Sequence, residues 1–245
     1  MSDRFAGRRI LITGGNSGIG ASAARRIAEE GGKVCIVHSN PRNAPSFAEG
    51  LPIARVVADV SDEQAVRQAV AEAAEKLGGI DGLVNSAGVN TMKPFAETSA
   101  AEWDRTIAVN LSGAFHVCRA ALDLLKQNSN ATIVNISSAL ALQPLANRAA
   151  YAASKAGLIA LSKVLAVEFA PAIRVNVVCP GAVDTLMLRT TFPDAEDIAR
   201  ISARAPLRRM ATADEAANVV LFLSSDESSY VTGATFSVDG GRTLY

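Results

Sequence analysis

Tyr151 and Lys155 stand four residues apart in the run AAYAASKAG, so on a helix they share one face. A free phenol has a pKa of ~10 and is a poor base near neutrality. An ammonium beside it stabilises the phenolate and lowers that value. The tuned phenol can then give a proton to a carbonyl oxygen or take one from an alcohol. Ser138, thirteen positions before Tyr151, directly follows the strand-like run TIVNIS and can hydrogen-bond the same oxygen as negative charge develops on it. Each residue alone has an ordinary reading: a strand-end cap, a half-buried helix residue, a surface charge. Their joint spacing favours the acid–base reading.

A second site lies at the start of the chain. Residues 13–20 read TGGNSGIG, between the strand-like RRILIT and the helical IGASAARRIAEE. Gly14 permits a tight exit from the strand, Gly18 lets the backbone approach a pyrophosphate, and Gly20 lets the helix pack close to the sheet. The helix N-terminus then offers unpaired N–H groups to phosphates. Asn16, Ser17 and Ile19 belong to the same loop. At the end of the second strand, where a carboxylate would hold ribose hydroxyls, the chain instead has His38, Ser39, Asn40 and then Arg42. Donors and a guanidinium suit a 2′-phosphate, so NADP(H) is favoured and NAD(H) is possible. The ordinary reading of Arg42 is a solvated loop charge. Asp59, followed by Val60, could accept from the adenine amine or cap the helix that begins at Asp62.

These groups need a scaffold that brings strand ends together. Short apolar or β-branched runs predict strands at 9–13, 33–38, 54–58, 82–85, 132–137, 174–179 and 235–238. Longer periodic runs predict helices at 19–30, 63–77, 101–127, 150–169 and 213–224. The alternation predicts a single α/β domain over 1–245: a Rossmann-like, doubly wound parallel sheet of about seven strands flanked by helices on both faces. Runs such as IVNIS and VNVVC read as strands covered on both faces. Two stretches break the rhythm. Residues 39–52 carry three prolines, which oppose a full crossover helix. Residues 182–209 follow a strand and read as a substrate lid.

The ordered set TGGNSGIG, NSAG at 85–88, Asn110 in VNLSG, Ser138, Tyr151, Lys155 and Pro180-Gly181 resembles the short-chain dehydrogenase/reductase family over nearly the whole chain. The resemblance implies that Lys155 also binds the nicotinamide ribose and that Asn110 holds a water in a proton relay. It implies further cofactor contacts from Asn85, Ala87 and Gly88, and from Pro180, Gly181, Val183 and Thr185. The family's Asn-Asn-Ala-Gly is Asn-Ser-Ala-Gly here, a departure expected to alter one local hydrogen bond. The cofactor supplies the hydride and the protein supplies position and electrostatics. Relatives commonly form tetramers through the two long helices, so a homotetramer, or a homodimer, is expected.

Leu140, Gln143, Leu145, Leu186 and Met187 are candidate substrate contacts, pointing to a small or mixed-apolar carbonyl compound. The arginines 189, 200, 204, 208 and 209 could attract an acidic substrate or pair with nearby acids. A 3-oxoacyl-carrier-protein reductase is one specific alternative, against which stand the loops NSN at 128–130 and PAI at 171–173, without basic residues. A non-catalytic dinucleotide sensor on the same fold is another, opposed by retention of both Tyr151 and Lys155.

Composition narrows the field. The 245 residues carry 24 Lys+Arg against 24 Asp+Glu, so no general attraction to nucleic acid or anionic lipid is expected. No apolar run approaches the ~20 residues of a membrane span, and the N-terminus lacks a secretory layout. Three scattered cysteines, Cys35, Cys118 and Cys179, read as buried free thiols in a reducing cytoplasm. With only two histidines and no ligand spacing, no metal site is expected.

Overall fold

The computed structural model describes residues 3–39 and 50–244. Seven strands form one parallel sheet: β1 (Arg9–Thr13), β2 (Lys33–His38), β3 (Ile53–Val57), β4 (Gly82–Asn85), β5 (Ala131–Ile136), β6 (Ile173–Pro180) and β7 (Thr235–Val238). Their order is β3-β2-β1-β4-β5-β6-β7. The chain winds outward from β1 in one direction, then returns to pair β4 with the other side of β1. The crevice at that reversal, beyond the carboxyl ends of the strands, is where a doubly wound sheet binds ligands.

Helices cover both faces. On one side α1 (Gly18–Glu29) and α9 (Ala213–Ser224) pack together over Ile10, Ile12, Ile36 and Val134. On the other, α2 (Glu63–Leu77), α4 (Gly113–Lys126) and α6 (Ala149–Phe169) enclose Leu11, Leu83, Ile133 and Val175. Every residue of β5 and β6 is buried, as strands covered twice must be. Strand bounds at 53–57, 131–136 and 173–180 differ from the sequence expectation by one residue at each affected end.

The expected helix at 101–127 is interrupted. It divides into α3 (Ala100–Ile107), a π-type turn (Ala108–Ser112) and α4. A Cβ on Gly113 would lie 2.7 Å from Val60 Cγ2, so the backbone approaches that loop closely. Asn110, inside the turn, aims its side chain at the backbone of Val89. Such turns frequently mark functional sites. Segment 182–209 contains two short helices, α7 (Leu186–Thr191) and α8 (Ala195–Ser202), while α5 (Ala139–Leu142) follows β5 directly.

Contrary to the expectation for apolar runs, α6 is long and apolar enough to cross a membrane by length and composition. It nevertheless carries Tyr151, Lys155, Lys163 and Glu168, and it packs along β6. Cys35, Cys118 and Cys179 are buried free thiols, and burial pushes Cys35 and Cys118 up to about 12. Among the described residues no cluster of metal-ligating side chains occurs.

Candidate active site

A cavity of about 910 Å³ opens at the carboxyl ends of the strands. Its floor at one end is the glycine loop. Gly14 has φ of +65°, and a Cβ there would meet the backbone of Ala87 at 2.7 Å, so β1 can exit only through a glycine. At Gly20 a Cβ would lie 2.5 Å from the Gly14 carbonyl oxygen and 3.1 Å from Ser86 Oγ. The serine of the Asn-Ser-Ala-Gly variant thus packs against the first turn of α1. Helices α2, α3 and α9 have side-chain caps at Asp62, Ser99 and Thr212. Ser17, the N-cap of α1, makes no side-chain cap bond, and no acid lies in that first turn. The N–H groups there are left for an anion, which fits a dinucleotide pyrophosphate.

Asn16, Ser17, Gly18 and Ile19 line the cavity, with His38, Ser39, Asp59 and Val60 beyond them. Asn40 and Arg42 lie outside the described residues. Asp59 is not a helix cap, a role that falls to Asp62. Its carboxylate accepts from Ser61 N and Oγ, at 2.9 and 2.7 Å, and from Arg105 at 2.8 Å. Burial opposes its ionisation, but these donors outweigh it and hold the pKa below the ordinary carboxylate value.

At the other end Ser138, Tyr151 and Lys155 line the same cavity. Ser138 lies just beyond the end of β5 and caps α5, accepting from Leu140 N at 3.1 Å. Asn147, with φ of +64°, turns the chain into α6 and so sets the start of the catalytic face. A buried polar network then fixes α6 against the sheet. Ser137 Oγ donates to the Lys155 carbonyl at 2.8 Å, and Ser154 Oγ donates to the Tyr151 carbonyl at 2.7 Å. Asn135 Nδ2 donates to Ser162 Oγ at 2.8 Å. Each such bond contributes about 1 kcal/mol, and together they restrict the rotation of α6 about its axis.

Lys155 Nζ donates to the Ile136 carbonyl at 2.8 Å and lies 5.9 Å from the Tyr151 ring centre. Burial lowers its pKa to about 8. The expected acidification by this ammonium does not govern Tyr151. Burial instead raises the phenol above its ordinary value, and the Ser138 hydroxyl and the Arg148 charge oppose that only in part. The physical reason is desolvation, which disfavours both the ammonium of Lys155 and the phenolate of Tyr151.

Asn110 and Asn85 are not brought to the cavity wall. Asn110 is buried, its Oδ1 accepting from Val89 N at 2.8 Å and its Nδ2 donating to Val89 O at 3.0 Å and Ser154 Oγ at 3.1 Å. Asn85 donates to Asn135 Oδ1 at 2.8 Å inside the sheet. Gly20 lies beneath the loop rather than on its surface. Ala87, Gly88, Pro180, Gly181, Val183 and Thr185 do line the cleft. Thr185 caps α7, accepting from Leu188 N at 3.4 Å.

Of the substrate candidates, Leu140, Leu145 and Met187 face the cavity, whereas Gln143 and Leu186 do not. Leu186 is exposed, and the Gln143 carbonyl accepts from Arg242 at 3.0 Å. Sequence reasoning missed Arg105, Arg148 and Arg242, all of which line the cleft. Only Arg148 carried a usable signal, three positions before Tyr151.

A family model described as enoyl-(acyl carrier protein) reductase matches residues 14–243. The chain is 37% identical, over all of its length and 99% of the relative, to a 2,5-dichloro-2,5-cyclohexadiene-1,4-diol dehydrogenase of Sphingobium indicum. This chain belongs to the short-chain dehydrogenase/reductase family. It is an NAD(P)-dependent oxidoreductase. A 3-oxoacyl-[acyl-carrier-protein] reductase of Thermotoga maritima is 38% identical, covering 98% of this chain and all of the relative. The solved aldohexose dehydrogenase of Thermoplasma acidophilum superimposes with a TM-score of 0.90 at 31% identity, covering 100% and 96% of the two chains. Relatives in this short-chain dehydrogenase/reductase set thus carry names for quite different alcohols and ketones on one scaffold, so the substrate must be argued from the cleft itself.

Proposed function

We propose that this chain interconverts a ketone or aldehyde and the corresponding alcohol, with Tyr151 as proton donor and acceptor and with NADP(H) preferred over NAD(H). The observation that carries this reading is the convergence of Ser138, Tyr151 and Lys155 on one end of a cleft whose other end is the uncapped glycine loop. The dinucleotide, when bound, supplies the hydride that goes to the carbonyl carbon. Ser138 donates a hydrogen bond to the carbonyl oxygen and polarises it. Tyr151, protonated near neutrality because burial disfavours its anion, gives its proton to that oxygen as the bond to carbon forms. Lys155 holds its charge beside the phenolate left behind. In the reverse direction the phenolate takes the alcohol proton, so oxidation gains with rising pH. Asn110, locked to Val89 and Ser154, fixes the loop that follows β4 against α6. Segment 182–209 serves as a lid, since α7 borders the cleft and Thr185 sits 3.1 Å from where a Gly18 side chain would begin.

The test is a panel of ketones and alcohols assayed with NADH and NADPH through nicotinamide absorbance. Turnover of a carbonyl compound is expected; cofactor binding without any turnover points instead to a sensor. The absence of an acid at 38–39 supports the NADP(H) preference. Arg42→Ala is expected to weaken NADPH by about tenfold and to leave NADH within twofold. Equal losses for both cofactors remove Arg42 from phosphate recognition.

We also place the protein in the cytoplasm as a homotetramer. Support comes from the outer face of α6, where Val164 and Val167 are 51% and 83% exposed on a helix rich in alanine. Light scattering is expected to give the mass of four chains, and Val167→Asp to reduce it. A single-chain mass for the wild type overturns the assembly.

A further inference from the structure

Three guanidinium groups on the cleft wall, those of Arg148, Arg204 and Arg242, have no carboxylate within ion-pair distance among the described residues. Three lid arginines differ. Arg189 pairs with Asp184 at 2.6 Å, Arg200 with Asp197, and Arg209 with Glu215 at 2.6 Å. The acids that reach the cleft are engaged. Asp59 is held by Arg105, Glu215 by Arg209, and Asp239 accepts from Gly241 N, Thr243 N and Thr243 Oγ1. Burial and the charge of Arg204 both lower the pKa of Arg242, and the charge of Asp239 opposes them only in part.

Arg148 is the most constrained of the three. It is only 7% exposed, and its Nη1 donates to Asn90 Oδ1 at 2.6 Å. Its guanidinium carbon lies 5.5 Å from the centre of the Phe192 ring, on the lid. Asn90 in turn donates to Thr191 Oγ1 at 3.0 Å, so both flanks of the guanidinium are held in place. The remaining N–H groups have no protein acceptor among the described residues, and the side chain lines the cavity. A buried, oriented and unneutralised guanidinium is costly unless an anion completes it. Tyr151 follows three residues later on α6, a rise of about 4.5 Å.

We propose that Arg148 receives an anionic group of the substrate, so that the carbonyl compound reduced at Tyr151 is an oxo acid whose acid group lies a few bonds from the reacting carbon. The inference rests on the carbonyl–alcohol reading above. Arg204 and Arg242 supply a positive approach to the same end of the cleft, while Arg148 makes the directed contact. Carboxylate, sulfonate and phosphonate share the chemistry that a guanidinium fork accepts.

The test uses 2-, 3- and 4-oxo carboxylates, each paired with its methyl ester, plus an oxo sulfonate and an oxo phosphonate. All are assayed with wild type, Arg148→Gln and Arg148→Lys in the presence of cofactor. The wild type is expected to prefer at least one acid to its ester by about ten- to a hundredfold in kcat/KM, with the loss in Arg148→Gln falling mainly on KM. Arg148→Gln is expected to bring that ratio within threefold of unity, and Arg148→Lys to retain part of it. A wild type without preference for any acid, or a preference that survives Arg148→Gln, overturns the proposal. So does an equal fall in kcat for acids and esters, which marks Arg148 as a tuner of Tyr151 alone. Calorimetric titration of a carbonyl-free carboxylate, isobutyrate, onto the cofactor-loaded enzyme reads the anion site without turnover. Binding that Arg148→Gln abolishes, with no ketone turned over, upholds the anion receptor and overturns the reaction assigned to Tyr151. No binding alongside neutral-ketone turnover does the reverse.

Discussion

Tyr151→Phe lowers kcat by about 10²–10⁴-fold while the affinity for the reduced cofactor changes by less than twofold. The substitution deletes one oxygen and retains the ring, whose neighbours on α6 and β5 are unchanged. Ser138 still polarises the carbonyl, but the oxygen that becomes an alkoxide then has no positioned proton source. The cofactor loop is at the opposite end of the cavity and does not sense the change. Single-turnover absorbance for hydride transfer and fluorescence titration for cofactor binding separate the two effects. Retained single-turnover rate removes Tyr151 from proton transfer. A parallel loss of cofactor affinity places it in binding instead. The wild-type oxidation rate is expected to climb with pH beyond neutrality, since burial raises the phenol above its ordinary value and only its ionised form accepts the alcohol proton.

Local pattern made most of the scaffold readable. β1, β2, β4 and β7 lie at the expected residues because strand runs bounded by glycine, turns or helix starts leave little freedom in register. The interruption at Ala108–Ser112 was not readable, because it arises from contacts with Val60 and Val89, far away in sequence. The same distinction holds in the site. Tyr151 and Lys155 are linked by helical spacing, and Ser138 by its place at a strand end. Gln143 and Leu186 were misplaced because apolar or amide character does not reveal which way a short loop turns its side chains. Arg148 and Arg242 were invisible as a group. Charge counting along the lid drew attention to Arg204 together with Arg189, Arg200 and Arg209, the last three of which are paired with acids, whereas Arg148 and Arg242 come from segments outside the lid. The charge state of Tyr151 could not be inferred from its neighbour either, since spacing gives proximity and burial decides the sign.

Lys155→Met is expected to weaken the reduced cofactor by about ten- to a hundredfold and to depress kcat as well, with little change in melting temperature. Two opposed terms explain the small thermal effect. Lowering the pKa of Lys155 from 10.5 to about 8 corresponds to a cost of about 3 kcal/mol for keeping its charge buried at neutral pH. Removing the ammonium relieves that cost but strands the Ile136 carbonyl, a loss of about 1–3 kcal/mol. The pH dependence follows the same sign. Below about pH 8 both folded and unfolded chains carry the proton and the full cost is present. Between about 8 and 10.5 the unfolded chain binds more protons than the folded one, so this group makes stability rise with pH, an increment Lys155→Met lacks. Activity runs the other way. The charged form holds the cofactor and the phenolate, so kcat/KM for the reduced cofactor should fall as pH rises through about 8. Denaturation and kinetic profiles over that window test both halves. A stability curve identical in wild type and variant, or a kinetic profile flat through pH 8, shows that the buried ammonium is not the group that couples cofactor capture to proton transfer at Tyr151.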